Sequence, residues 1–259
     1  MGGFLRVMLP SPPMQIVGLI PARFGATRFP GKLIAPLCGQ PMLHWVLKGC
    51  LESDRVSRWI VATDNDGIAA VAQANGIEAV MTDPDLRSGT DRIWAVAKDL
   101  DASHVINVQG DEPLIDGHAL NVLVDTLCDG GAETATLARP LDPDEKVQDP
   151  NRVKVVVGTD HRALYFSRAV IPYPRNPEAA KAATYLLHLG CYGYTHAALA
   201  RWVALPPHPL ELVESLEQLR AIANGISMAV GLVDTKLSSV DAPADVPAVE
   251  SALRVRYGL

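Results

Sequence analysis

Three cations crowd one short loop near the start of this chain. Residues 16–32 read IVGLIPARFGATRFPGK, and in its loop, 21–32, Arg23, Arg28 and Lys32 stand among two glycines and two prolines with no acid between them. The preceding apolar run predicts a strand that fixes the base of the loop. Gly25 and Gly31 let the backbone turn where a Cβ would clash. Exposed N–H groups and three cationic side chains can then surround several oxygens of a polyanion such as a nucleoside triphosphate. Open α/β sheets bind ligands at the carboxyl ends of their strands, where this loop falls. The alternative is a basic surface turn.

The loop is not one of the strict phosphate signatures. Gly25 is followed by Gly31 and Lys32, but Leu33 stands where a P-loop places Ser or Thr, and no GxGxxG occurs. A P-loop ATPase and a dinucleotide-dependent oxidoreductase are both poor fits.

Other segments carry chemistry of their own. Residues 105–113 read VINVQGDEP, an apolar strand ending in Gln109, Gly110, Asp111 and Glu112. Acids after a glycine at a strand end suit magnesium beside phosphates, because that ion takes one or two carboxylates and fills its shell with phosphate oxygens and water. A solvated turn is the alternative. Residues 87–92, RSGTDR, open a predicted helix, whose N-terminus attracts anions; the same residues suit ordinary capping. In SVDAPAD (239–245), Asp241 is a second metal carboxylate or the cap of the last helix. His188 lies inside an apolar strand, and Glu217 and Gln218 lie within a helix. Taken singly, these three read as a core histidine and a solvated helix face.

The elements that must position these residues alternate along the first half of the chain. Strands are predicted at 15–21, 58–63, 77–81, 104–108 and 133–139, and helices at 41–53, 66–75, 89–100 and 116–129. That alternation implies an α/β fold with a mostly parallel sheet and helices on both faces. After Pro140 the pattern changes to a hairpin (153–158 and 163–167), a Pro-, Ala- and Lys-rich loop (172–184) and a strand (185–194). Helices at 196–205 and 210–224, a strand at 227–233 and a helix at 244–255 complete the prediction. We expect residues 1–14 to be a loose extension, with Met14 as an alternative start, and 15–259 to be a single domain. Within it, about 140–210 is expected as an inserted lid or dimer arm.

Bulk properties narrow the function. Of 259 residues, 48% are hydrophobic and 20% charged, and the net charge of −6 gives no overall basic field for nucleic acid. No apolar run is long enough to span a membrane, and the first residues lack a small-residue cleavage site. Cys38, Cys50, Cys128 and Cys191 are widely spaced, as in a reduced cytoplasmic protein without a disulfide framework or zinc site.

In order along residues 15–255, IPARFGATRFPGK, VATDN, RSGTDR, VINVQGDEP, KVV, ALYFSR, HLGCYGY, LEQLR and SVDAPAD resemble the 3-deoxy-manno-octulosonate cytidylyltransferases, or CMP-Kdo synthetases. The resemblance implies a homodimer of nucleotide-diphospho-sugar-transferase-like fold that moves CMP from CTP to an acidic eight-carbon sugar and releases pyrophosphate, for lipopolysaccharide assembly. By that resemblance Pro21, Ala22, Arg23, Lys32, Arg87, Ser88, Gly89 and Gln109 bind the nucleotide, with Arg23, Lys32 and Asp111 catalytic. Asp111 and Asp241 hold Mg2+, and Arg168, His188, Tyr192, Glu217 and Gln218 surround the sugar acid.

Three positions depart from the family pattern: Ala26 in place of serine, GKLI in place of GKPL, and Arg139 in place of an apolar residue. Arg139, at a strand's carboxyl end, is either solvated or an acceptor-binding cation. If it binds the acceptor, a small phosphonate such as phosphonoformate is the alternative substrate, as in cytidylyltransferases of phosphonate biosynthesis. A CTP-binding homologue without catalysis is a further alternative, opposed by the presence of Arg23, Lys32 and both aspartates.

Overall fold

A computed structural model describes residues 14–25, 29–142, 144–176, 178, 181, 183–237, 239–240 and 242–259. Arg28 of the cationic loop, Ala26 and Asp241 lie outside the described residues, as do residues 1–13.

The first half follows the predicted alternation. β1 (Ile16–Ala22), β4 (Arg58–Thr63), β5 (Glu78–Met81) and β6 (His104–Asn107) interleave with α1 (Met42–Cys50), α2 (Asp66–Ala74), α3 (Gly89–Ala97) and α4 (Gly117–Asp129). A two-residue ladder, β2 (Pro36–Leu37) and β3 (Gln40–Pro41), precedes α1. Side chains cap three of these helices: Asn65, Ser88 and Asp116 each accept the backbone N–H three residues on. The second half contributes β7 (Thr134–Pro140), β8 (Lys154–Val157), β9 (Ala163–Ser167), β10 (Leu186–Thr195) and β11 (Met228–Leu232). Its helices are α5 (His196–Ala204), α6 (Pro209–Glu214), α7 (Gln218–Ala223) and α8 (Val246–Tyr257).

The main sheet runs β11-β7-β10-β6-β1-β4-β5. β1 is parallel to β4 and β6, β4 to β5, and β7 to β11, whereas β10 runs antiparallel to both β6 and β7. Six strands therefore point one way and gather their carboxyl ends at one edge. Helices α1, α2, α4 and α8 bury apolar residues on one face, and α3, α5 and α7 on the other. Strands covered on both faces read as continuous apolar runs, and every residue of β1 is buried.

Two expectations need correction. Residues 140–210 do not form one inserted piece. The β8–β9 hairpin pairs with the start of β10 off the main path, but β10 itself runs through the middle of the sheet. The single helix expected over 210–224 is two helices. Ser215 between them is left-handed, with φ 52° and ψ 48°. Tertiary partners override the helical period here. Arg168 Nε donates to the Glu214 carbonyl at 2.7 Å and Nη2 to the Ser215 carbonyl at 3.3 Å, while Ser167 Oγ and the Arg168 N–H hold the Glu214 carboxylate.

Candidate active site

The carboxyl end of β1 enters the cationic loop. Gly31 sits at φ 68° and donates its N–H to the Phe24 carbonyl at 3.3 Å, which closes the loop and opens a short 3-10 turn, Lys32–Ile34. Lys32 Nζ thereby reaches the Asp111 carboxylate beyond β6 and donates to the Val240 carbonyl at 3.1 Å. The Val240 N–H in turn donates to the Asp111 carbonyl at 3.0 Å. Side chains of both charged partners remain part-exposed, at 14% for Lys32 and 24% for Asp111.

The N-terminus of α3 forms the facing wall. Ser88 Oγ accepts the Asp91 N–H at 3.0 Å, and a Cβ on Gly89 would lie 3.3 Å from the Pro21 ring, so glycine allows the helix to approach β1 this closely. Between the two walls is a cleft of about 470 Å³ lined by Pro21, Arg23, Lys32, Arg87, Ser88, Gly89, Gln109 and Asp111, together with Arg92 and Phe29. The structure thus gathers seven of the eight residues expected at the nucleotide, and Asp111 with them. Ala22 is the exception: it is fully buried and offers the cleft no side chain.

A second pocket of about 460 Å³ shares Gly89 and Gln109 with the first. It is lined by Arg168, Tyr192, Glu217 and Gln218, four of the residues expected at the acceptor, and also by Thr90, Asn107, Tyr194 and Trp202. The break after α6 delivers Glu217 and Gln218 to this pocket, and a register shift in β10 between Leu189 and Tyr192 shapes its floor. Burial pushes the Glu217 carboxyl up, partly offset by the nearby Thr90 hydroxyl and the Arg220 charge, which favour its charged form. Burial likewise raises the Tyr192 and Tyr194 hydroxyls. Most guanidinium donors of Arg168 go to the carbonyls of Pro150, Glu214 and Ser215, so it builds the wall as well as lining it.

His188 stands beside this pocket rather than on its lining. Its ring lies 5.5 Å from that of Tyr192 and 4.9 Å from that of Phe166, and burial lowers its pKa to about 3, so it is neutral near pH 7. Its Nε2 is 3.0 Å from Thr136 Oγ1, which lies 2.8 Å from the Cys191 carbonyl. The single hydroxyl proton goes to that carbonyl, so Nε2 carries the other proton and donates to Oγ1.

Arg139 does not line the second pocket. Strand alternation puts it on the opposite face of β7 from Thr136 and Ala138, and hence from His188. It is 5% exposed, and both its Nη atoms donate to the Glu145 carboxylate at 2.6 Å. The guanidinium holds Glu145 far below the usual carboxylate range, at about 2.

Sequence reasoning missed Asn107, Thr90, Tyr194 and Trp202. Asn107 gave a signal: a buried amide inside an apolar strand, two residues before Gln109. Tyr194 follows Tyr192 by two in the same strand. Nothing local marked Thr90 or Trp202.

The donor set fits a small divalent cation. Asp111 faces the cleft from which phosphates would supply further oxygens, and among the described residues no group of three or more His, Cys, Asp or Glu could form an all-protein cage. No helix among the described residues is long and apolar enough to cross a membrane.

Comparison with known proteins agrees with this geometry. A family model described as Cytidylyltransferase matches residues 17–229. The 3-deoxy-manno-octulosonate cytidylyltransferase of Bdellovibrio bacteriovorus is 44% identical over 93% of this chain and 98% of its own length. The enzyme of that name from Acidobacterium capsulatum is 41% identical over 94% and 98%. Among solved structures, a CMP:2-keto-3-deoxy-manno-octonic acid synthetase complexed with CTP superposes with a TM-score of 0.87 at 38% identity, covering 93% of this chain and 99% of that one. A cytidylyltransferase from Leptospira borgpetersenii, with a TM-score of 0.63 at 18% identity over 93% and 87%, shares the fold. Matches of this length and identity reach beyond shape to kinship: the chain belongs to the cytidylyltransferase family and is a nucleotidyltransferase.

Proposed function

We propose that this protein transfers CMP from CTP to 3-deoxy-manno-octulosonate with release of pyrophosphate, and so supplies activated sugar for lipopolysaccharide assembly. The observation that carries the reading is the pair of adjoining pockets that meet at Gly89 and Gln109. One is cationic and open at a sheet edge. The other is aromatic and holds a buried carboxyl, suited to a polyhydroxylated acceptor. The relatives' names and the neighbour's CTP supply the two reactants.

Pro21, Arg23, Arg87, Ser88, Gly89 and Gln109 would hold the nucleotide. Lys32 and Arg23 would neutralise charge that develops on the phosphates, which is most of what a protein contributes to phosphoryl-type transfer. Asp111, with Asp241, would hold Mg2+. When bound, that ion supplies charge neutralisation and lowers the pKa of a coordinated hydroxyl. Tyr192, Glu217, Gln218 and Arg168 would orient the acceptor so that its hydroxyl meets the α-phosphorus in line with the departing pyrophosphate. His188 would support that wall as a neutral ring.

The phosphonoformate alternative drew on Arg139 as an acceptor cation, and Glu145 already takes that charge. The non-catalytic alternative is opposed by Lys32 and Asp111 standing in contact at the cleft. Pyrophosphate release with CTP and Mg2+ tests all three. We expect turnover with 3-deoxy-manno-octulosonate and none with phosphonoformate. Turnover with the phosphonate alone, or CTP binding without turnover, would refute the proposal.

We also infer a homodimer. Helix α6 buries none of its residues, and Leu212 and Val213 are 67% and 85% exposed. Sedimentation velocity of the wild type and Val213→Glu should show a dimer that weakens in the variant. The free cysteines are consistent with a cytoplasmic site of action.

A further inference from the structure

Asp64 and Arg92 are in neither set of residues expected from the sequence at the nucleotide or the acceptor, yet they connect the two walls of the nucleotide cleft. Arg92 projects from the second turn of α3, the helix whose N-terminus forms one wall. Its side chain is 2% exposed. Nη2 donates to Asp64 Oδ2 at 3.0 Å and Nη1 donates to Thr82 Oγ1, whose own proton goes to the Thr63 carbonyl at 3.0 Å. Each Nη group thus has a partner within the protein, although Arg92 also borders the cleft. The other oxygen of Asp64, Oδ1, accepts the Phe24 N–H at 3.0 Å. Phe24 follows Arg23 in the opposite wall and closes the cationic loop through its carbonyl.

A charge this deep is costly unless it is paired and hydrogen-bonded, and removing one partner leaves the other uncompensated. Here one carboxylate spans two segments: one oxygen takes the buried arginine of α3 and the other takes a main-chain donor of the loop. We infer that Asp64 and Arg92 are positioning residues that lock the Arg23 loop to the N-terminus of α3, so that the nucleotide meets two walls already fixed in register. The inference rests on reading this cleft as the CTP site. It assigns the pair no contact with the reacting atoms and no part in the second pocket, whose lining includes neither residue.

Calorimetry of CTP binding and steady-state KM for each substrate test this on wild type, Asp64→Ala, Asp64→Asn and Arg92→Met. Loss of a charge-assisted acceptor predicts that Asp64→Ala and Arg92→Met weaken CTP binding by about tenfold or more. KM for the acceptor should stay within about twofold. Asp64→Asn keeps an oxygen for the Phe24 N–H and should recover much of the loss, which a purely stabilising ion pair would not do. Equal CTP affinity in Asp64→Ala, Arg92→Met and wild type would overturn the inference while leaving the functional reading intact. So would a parallel rise in both KM values. A wild type that does not bind CTP would overturn both.

Discussion

The two pockets differ in how the chain builds them. The nucleotide cleft comes from three short continuous segments, each at the end of an element: the loop after β1, the turn into α3 and the turn after β6. It is open to solvent at its rim, where Arg87 keeps 80% of its side chain exposed. The second pocket draws on residues scattered between Gly89 and Gln218, and burial there raises both a carboxyl and two phenols. On the function proposed above, phosphate binding is a property of local backbone and loop charge. Selection of the acceptor is then a property of distant segments brought together, and it depends on desolvation.

That contrast can be broken at either pocket. The largest effect belongs to Asp111→Asn, which takes from Lys32 its carboxylate and from the cleft the carboxylate proposed to hold Mg2+. We expect kcat to fall by about 10³-fold, with acceptor affinity by calorimetry unchanged; a parallel loss at both pockets would contradict their separation. Glu217→Gln should do the reverse, raising KM for the acceptor by about 10- to 100-fold through loss of a charged hydrogen-bond partner, with CTP affinity unchanged. Glu145→Gln should leave both KM values within about twofold, because Arg139 lines neither pocket. It should lower the melting temperature by about 5 °C near neutral pH.

The sign of the pH dependence follows from Glu145. Its folded pKa is depressed from 4.5 to about 2, so its stabilisation is fully present above the unfolded value and is lost as pH falls through that interval. Acid unfolding curves of wild type and Glu145→Gln should converge towards the lower limit. The smallest effect is expected for Ser215→Gly. A left-handed residue between α6 and α7 becomes a glycine, stability rises by about 0.5–1 kcal/mol in a thermal melt, and turnover is retained.

The sequence displayed this division in advance. The cationic loop, RSGTDR and VINVQGDEP could each be read alone, because a glycine, a cation and a strand end within a few residues carry the physics of anion binding. Strand and helix boundaries in the first half shifted by only a few residues for the same reason: caps such as Asn65, Ser88 and Asp116 are local. The second half was harder. The helix over 210–224 broke because Arg168, far away in sequence, takes the Glu214 and Ser215 carbonyls. Arg139 was misread because Glu145, its partner, lies beyond the strand end in a segment with no periodic pattern. His188, Glu217 and Gln218 had no local signal at all, and only the family resemblance pointed to them.

The antiparallel strand β10 has a consequence for how the protein is made. It sits between β6 and β7, though both precede it in the chain by tens of residues. A ribosome that has finished residue 185 has produced β6 and β7 but not the strand that joins them. The growing chain must hold β6 and β7 with open edges until then, and unpaired edges invite wrong partners. Nascent chains truncated before Leu186 should therefore fail to acquire protease resistance, and those extended past α5 should begin to gain it.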